Sequence, residues 1–541
     1  TLIKNIYISQ GLASVLQGPE SITGQINISL KEHSKEKIFL NLYLNSFLSK
    51  QINFDYNFSI GAWKSILSIH STQPAKEVDN NQDNFLDLPK TTKYSMYNKW
   101  TYDNKLKNRI FSSITLRYLQ EQRIGGERGF NIEDKGSNLI YGQIINFKQP
   151  ELLIKGSYKI NDNNDIILLS GTSLHQQESY FGTTKYTADQ INHCSDISYK
   201  HKWEDHQTTA GLSIKQLQLN ENILLNNVFN LSYGGDYLKN EIISGIFLEN
   251  TFKWNGNIEL YTGLRFDYHN EHGSFTTPRA LLKYDITENC ITRISIGKGW
   301  KTKNIFTEHV YLFGSNKDII ISENLQPEEA VNFGVNFLQS FYFDNIEMQL
   351  ILDYYSTIFS NQIFPDHETD PGAIYIYNFT DQSQSHSFQA ELGLEINNFI
   401  GIKTAYNYLD VFRFMNNHKH QLPFISKHHI LNTISIQPTD KNWQFDSNIH
   451  WFGSKKLINT SNNPTEHQRD DKSNPFSMIN LQFTKKLPKA DLYIGCENIL
   501  NFTQEEPIIS WQDPFSQYFD ISNIWGPTKG REFYCGTRIT F

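Results

Sequence analysis

The chain has 541 residues with 49 basic and 57 acidic side chains, a net charge of −8, and 14% aromatic residues. Its 37 Phe, 28 Tyr and 9 Trp carry far more buriable surface than a disordered chain does, so disorder is excluded. The acidic balance leaves no footprint for nucleic acid, and without an apolar run of roughly 20 residues no transmembrane helix can be drawn.

Membrane crossing is thereby left to strands. Cys194, Cys290, Cys496 and Cys535 lie far apart and form no C-x-x-C pair, which argues against a zinc site or a disulfide framework. The sequence opens at Thr1 in what already reads as folded chain, so any signal peptide is expected to have been removed or lost.

In chain order, the first feature is a run from Ile8 to Ile28 with Gly11, Gly18 and Gly24; alone, these glycines mark tight turns that need positive φ. From about residue 36 onward, apolar residues alternate with period 2 and helical periodicity is scarce, which defines an all-β chain. Over 38–45, Ile38, Leu40, Leu42 and Leu44 oppose Phe39, Asn41, Tyr43 and Asn45. Over 258–269, Ile258, Leu260, Thr262, Leu264, Phe266 and Tyr268 oppose Glu259, Tyr261, Gly263, Arg265, Asp267 and His269.

A soluble sandwich gives the same alternation, so segment length must decide. Trp443 and Trp451 end an apolar stripe that includes Phe445, Ser447 and Ile449. Eight residues at about 3.3 Å make roughly 26 Å, the height of the apolar band between the aromatic girdles of an outer-membrane barrel. Short turns at 161–164, 204–206, 254–256 and 486–489 alternate with long connections. The long ones cover 72–93, 123–137, 177–190, 220–239, 299–325, 358–381, 412–426, 453–474 and 499–529. This is the asymmetry of short periplasmic turns and long external loops. Strand-like segments number 23, an odd count that such a barrel forbids; one crossing over 138–160, interrupted near Pro150, gives 22.

Within 72–93, Asp79, Asn81, Asp83, Phe85 (through its carbonyl) and Asp87 match the start of an EF-hand-like Ca²⁺ loop, but Lys90 stands where the bidentate Glu belongs. A solvated Asp/Asn turn cluster explains the same residues. His418, His420, His428 and His429 flank an external loop and have a spacing that could hold a transition metal or haem. Alternation sends His428 and His429 to opposite sides, which opposes their acting together. Gly297, Lys298 and Gly299 lack the G-x-x-x-x-G-K-[ST] spacing of a phosphate loop. No G-x-S-x-G elbow places a nucleophile beside a base, so an enzyme is not expected.

Four stretches carry a family resemblance. Residues 8–28, with Gly18, Pro19 and Ser21 before Gly24, Gln25, Ile26, Asn27 and Ile28, resemble the end of the plug domain of TonB-dependent outer-membrane receptors. Gln10 stands in for the family's basic residue and Leu12 for its Pro. Residues 497–502 resemble the E-N-L-x-N segment before the last hairpin, 297–302 the G-R-G-x-R segment, and 530–541 a final strand ending in an aromatic, Phe541.

The resemblance implies a 22-stranded antiparallel transmembrane β-barrel in the outer membrane of a Gram-negative bacterium, with 1–33 as the C-terminal part of a plug and 34–541 as the barrel. A complete plug is much longer than 33 residues and carries an N-terminal TonB box, so the chain reads as a fragment or its remainder belongs to a piece not shown. The implied function is energised uptake of a scarce nutrient, a ferric siderophore or similar metal chelate, by a monomeric barrel working with the TonB-ExbB-ExbD complex. Cobalamin, haem or copper would suit the same architecture. A passive channel and a soluble glycan-binding β-protein are the alternatives of other classes. Expected ligand-facing residues are Arg123, Arg128, Tyr180, Phe181, Lys301, Lys303, Trp511, Phe515 and Tyr518, each equally consistent with loop packing.

Overall fold

A computed structural model describes residues 3–21, 24–34, 36–103, 109–226, 231–322, 324–415, 418–438 and 440–541; Ile22 and Thr23 of the glycine-rich run lie outside them. Period-2 alternation lets one strand serve two environments, and among the described residues 22 antiparallel strands close into one barrel. They run in sequence order round the ring, and Glu532–Thr540 pairs with Ile38–Asn45 to shut it. A four-residue strand, His418–Gln421, pairs with one end of Ile400–Met415. It adds no crossing, because Ile400–Met415 pairs directly with His428–Ile436.

The even count rests on 138–160, as expected. Gly142–Asn161 is one 20-residue strand running through Pro150. Proline has no N–H for the ladder, so pairing with the next strand lapses beside it, yet Lys148 opposite Gln176 and Glu151 opposite Ser173 keep a single register.

The faces identify the solvent on each side. Arg265, Asp267 and His269 are at most 4% exposed, whereas Leu264, Phe266 and Tyr268 are 53%, 44% and 55% exposed. The strand Ile38–Asn45 does the same, burying Asn41 and Asn45 and exposing Leu42 and Leu44. Polar inside and apolar outside inverts a soluble protein and matches a barrel in lipid. Trp443 lies on the outer face with its ring 6.2 Å from that of Phe483, and Trp451 shares that face eight residues away. Trp203, Trp254 and Tyr284 are exposed on the outer face near the short-turn end, completing a girdle there.

The wall is uneven. Five successive strands between Gly142 and Trp254 are 18 to 20 residues long. The five from His428–Ile436 to Glu532–Thr540 have 8 to 11 residues. At about 3.3 Å per residue and a tilt near 40°, the tall wall spans roughly 50 Å along the axis and the low wall about 20–28 Å.

Two loop expectations are corrected by this height. Residues 177–190 form a hairpin whose turn is Gly182 and Thr183, and most of 220–239 belongs to the strands His206–Leu225 and Gly235–Trp254. Above the lipid the outer face turns polar, with Asp189 and Asn220 exposed, while Tyr186, Ala188, Leu219 and Ile223 stay buried on the inner face. The strands therefore continue where the membrane signature stops.

Candidate functional site

The lumen is occupied. Ile3–Gln10 and Gly24–Leu30 pair as an antiparallel hairpin, and the chain leaves it at the short-turn mouth, where Lys31 lies over the Phe39 ring and His33 meets Ser59. The connection between its strands contains the single-turn helix Val15–Gln17 and reaches the wall. Arg279 donates to four carbonyls there, those of Ala13 (2.8 Å), Ser14 (3.0 Å), Gly18 (3.0 Å) and Pro19 (3.1 Å). A planar fork with five donors suits such a ring of acceptors, and an ammonium does not. Ser14 donates to Glu249 at 2.5 Å, and the Val15 N–H donates to the Tyr261 hydroxyl at 2.9 Å. Arg265, held by Asp267 at 2.8 Å, reaches the Val15 carbonyl at 3.4 Å. Gly11 adopts φ +76° against Tyr355, where a Cβ would lie 2.5 Å from the ring, so both conformation and space demand glycine.

The long-loop end is roofed. Asp318–Ile321 runs parallel to Ala373–Phe379, which is antiparallel to Gln362–Asp370, so loops 302–327 and 361–382 share a small sheet. Phe306, Phe313, Ile374 and Ile376 from these loops pack on Phe181, Tyr186, Leu219 and Ile223 of the tall wall. Loops 74–89, 127–141 and 498–531 meet in a second cluster, Phe85, Tyr141, Ile508 and Phe519, against which Trp511 and Phe515 pack.

Two contacts tie these layers together. Tyr141 donates to the Gly314 carbonyl at 3.0 Å, and Lys317 pairs with Asp520 at 2.8 Å, their side chains 6% and 4% exposed. Burial works against the Asp520 carboxylate, but Lys317 and the Ser522 donors outweigh it and hold the group below the usual range. His367, in the same field, is pushed down by burial to about 4 and stays neutral.

The expected ligand residues divide among several places. Arg123 pairs with buried Glu121, and Arg128 stands 3.8 Å from Asp79. Lys301 and Lys303 converge on Glu308 at 3.0 and 3.5 Å. Burial pushes the Glu308 carboxyl up, but the Asn304 N–H and the two lysines prevail and keep it below the ordinary range. Lys303 also lines a cavity of about 280 Å³ with Glu221, Tyr237, Lys239, Asn304 and Phe306. Phe181 is buried in the first cluster and committed to packing. Tyr180, its neighbour in the strand, takes the opposite face, beneath Lys135 and Lys185 at 5.2 and 5.6 Å. Tyr518 packs on His467. Trp511 and Phe515 thus share one cluster, and Lys301 and Lys303 share Glu308, apart from Arg123 and Arg128.

In the acidic loop, Asp83 accepts the Phe85 N–H at 2.8 Å and the Asn81 amide at 2.7 Å, and Asp87 accepts the Asn80 N–H at 2.6 Å. One Asp79 oxygen, Oδ1, is buried without a partner. Burial raises the Asp83 carboxyl and pushes Asp87 up to about 6, with the neighbouring carboxylates adding to both. Among the described residues no three His, Cys, Asp or Glu groups stand in metal-holding geometry, and in this conformation the loop closes on its own donors. His428 and His429 take opposite faces, as alternation requires: His428 bonds Tyr406 at 2.8 Å, while His429 turns to His450.

A closed 22-stranded barrel, apolar outside and carrying its own chain through the lumen, is the architecture of an outer-membrane receptor. Residues 40–499 match the family described as TonB dependent receptor-like, beta-barrel, and the chain belongs to it. The barrel therefore sits in the outer membrane, with its short turns periplasmic and its long loops outside. In fold it is similar to the copper transporter OprC, with a TM-score of 0.75 at 12% identity over 100% of this chain and 86% of that one. The siderophore receptor PiuA from Acinetobacter baumannii superposes with a TM-score of 0.72 at 14% identity, again over 100% and 86%. In sequence, the vitamin B12 transporter BtuB of Vibrio cholerae serotype O1 is 24% identical over 192 residues, covering 33% of this chain and 30% of that relative. The match thus spans under a third of the curated relative's length.

Proposed function

We propose that this chain is the barrel, with the C-terminal part of the plug at 1–33, of a receptor that takes up a scarce nutrient against a gradient, a ferric siderophore or a similar metal chelate. The observation that carries this reading is the lumen segment: residues 3–21 and 24–30 lie within the barrel and are held to its wall by Arg279, Arg265, Glu249 and Tyr261. A passive pore needs no such filling. A transporter needs a segment held by polar contacts that can be exchanged for water when pulled, and the hairpin opens toward the periplasm, where the TonB-ExbB-ExbD complex would act. Ile6, Ile8, Ile26 and Ile28 share one exposed face of the hairpin, an apolar surface suited to the rest of a plug.

Cationic Arg123, Lys301 and Lys303 near the roof favour an anionic chelate, and Trp511 and Phe515 of loop 498–531 offer aromatic surface elsewhere in the roof. Accumulation of labelled ferric chelates in cells carrying the gene, with and without a working TonB complex, tests the reading. Energy-dependent accumulation is expected. Accumulation that persists without TonB, together with steady conductance in planar bilayers, would establish the passive channel instead. Cobalamin, haem and copper serve as competing ligands.

A further inference from the structure

The inner face of the low wall carries one more group of ligand-bearing side chains, on strands that hold neither the lumen segment nor the roof cavity. His429 Nε2 and His450 Nδ1 stand 3.2 Å apart. The ring centroids are 5.4 Å apart with an interplanar angle of 9°, so the rings lie edge to edge with these nitrogens facing. They come from neighbouring strands, His428–Ile436 and Trp443–Phe452. On the next strand, Phe476–Lys486, Met478 is the direct cross-strand partner of His450, which places their Cβ atoms about 4.5–5.5 Å apart on one face.

That face is the lumen face. Phe452, two residues from His450, stacks on His429 at 4.4 Å and on Phe476 at 4.9 Å. Gln482, four residues beyond Met478, accepts from the inward-facing Tyr534 at 3.1 Å. All three side chains are partly open to the lumen. Trp451, next to His450, points to lipid at the outer end of its stripe, so the group lies level with the outer membrane interface and below the roof.

We propose that His429, His450 and Met478 form a copper site in the lumen wall, taking Cu(I) on two imidazole nitrogens and one thioether sulfur. Imidazole suits copper and zinc alike, and a thioether selects Cu(I). Two nitrogens bound at a tetrahedral angle at about 2.0–2.1 Å lie roughly 3.3 Å from each other, close to the separation already present, and the two rings tilt so that both lone pairs aim at the ion instead of at each other. In the metal-free pair one ring N–H donates to the other ring; on binding, the donor ring shifts to its other tautomer, its proton passing through solvent to the distal ring nitrogen, so both imidazoles stay neutral, no net proton is released and the oxidation state does not change. Phe452 fixes the plane of His429, and the unbranched Met478 reaches the site by rotamer change. The cross-strand neighbours of the two histidines are Asn407, Phe452, Leu431 and Met478, none a carboxylate, so the group favours a soft ion over Ca²⁺ or Fe(III). The site stands whichever nutrient the receptor imports.

The test titrates the purified chain in detergent with Cu(I), under ascorbate, against a chromophoric Cu(I) chelator. The wild type is expected to bind one equivalent more than the His429→Ala/His450→Ala double variant, which removes whatever the four cysteines take from the comparison. Each single histidine variant should weaken that equivalent by about 100-fold. Met478→Leu should weaken Cu(I) by about 10-fold and leave Zn(II) unchanged, since only the sulfur is lost. Heat-modifiable migration reports that every variant has folded. An equal copper count in wild type and double variant, or an X-ray absorption edge without sulfur in the variant-sensitive equivalent, would overturn the proposal.

Discussion

The tall wall and the low rim enclose the same lumen by different means. On the tall side, strands of 18 to 20 residues run on beyond the bilayer, and their own inward residues make the surface on which the roof loops pack. The ladder serves most backbone groups there, so the inner side chains are free to be apolar. On the low side the strands stop after 8 to 11 residues and the connections 453–475 and 498–531 do the covering. Their backbone has isolated bridges in place of a ladder, among them Lys456 with Lys472 and Ile509 with Asp520, and side-chain amides supply further bonds. Gln504 Oε1 accepts from the Trp525 and Gly526 N–H groups at 2.6 and 2.9 Å, and the Asn498 amide donates to the Phe502 carbonyl at 2.7 Å. A wall built on strands tolerates local damage; a rim built on single contacts does not.

The strongest test of that difference is Asp520→Ala, which leaves the buried Lys317 ammonium uncompensated at a cost of about 3–5 kcal/mol. Limited proteolysis should then cut 302–327 and 498–531 while leaving the strands of 142–254 intact. A Lys317→Met/Asp520→Leu pair should recover most of the loss, because a buried ion pair is replaceable by apolar volume. Cleavage spread equally over both sides would dissolve the distinction.

Next in size is Arg279→Ala, which removes the donors to four carbonyls of the lumen segment. Water replaces part of them, so we expect about 3 kcal/mol of weakened docking, read as faster amide exchange over 13–19. Gln389→Ala, which removes one contact to Gln10, should cost about 1 kcal/mol.

Acid sharpens the contrast through His367. Its folded value is depressed from 6.5 to about 4, so the unfolded chain takes the proton first. Its contribution to stability is therefore complete above pH 6.5 and declines as pH falls toward 4, by on the order of 3 kcal/mol at most. Asp520, also depressed, contributes above the ordinary carboxylate range and is lost below it. Hydrogen exchange across that window should loosen the roof before the tall strands, and His367→Phe should flatten the profile.

The smallest expected effect is at 79–87. Ca²⁺ bound by Asp79, Asp83 and Asp87 would relieve their crowding and protect loop 74–89 by about 1.4 kcal/mol at ten times its dissociation constant. Calorimetry of wild type against Asp79→Asn at millimolar Ca²⁺ checks this, and absence of heat in the wild type removes the idea.

What the sequence showed follows the same division. Strand faces were legible because period 2 fixes them without knowledge of any partner: Arg265 and Asp267 inward, Trp443 and Trp451 outward, and His428 apart from His429. The single crossing through Pro150 was legible because ring closure is a global constraint that fixes an even number of strands. The tops of the tall strands resemble loops in sequence because a strand above lipid loses its apolar outer face, leaving Asp189 and Asn220 to look like turn residues. Phe181 was visible as an aromatic, but its role depends on Phe313, more than a hundred residues away. Lys317, Asp520, Arg279 and His450 carry no pattern of their own; each acquires meaning from a partner that only the closed ring brings near.

Ile38–Asn45 and Glu532–Thr540 are neighbours in the ring, yet the Tyr43 hydroxyl that reaches Glu532 does so across 489 positions of chain. Until the last strand exists, the first presents a row of unsatisfied N–H and C=O groups along one side, open to any strand that drifts past. A contact of such sequence separation is slow to find, and it cannot be made while synthesis is still under way. The bonds from Tyr43 and Asn45 to Glu532, at 2.7 and 2.8 Å, thus belong to the last joint of the ring to be sealed.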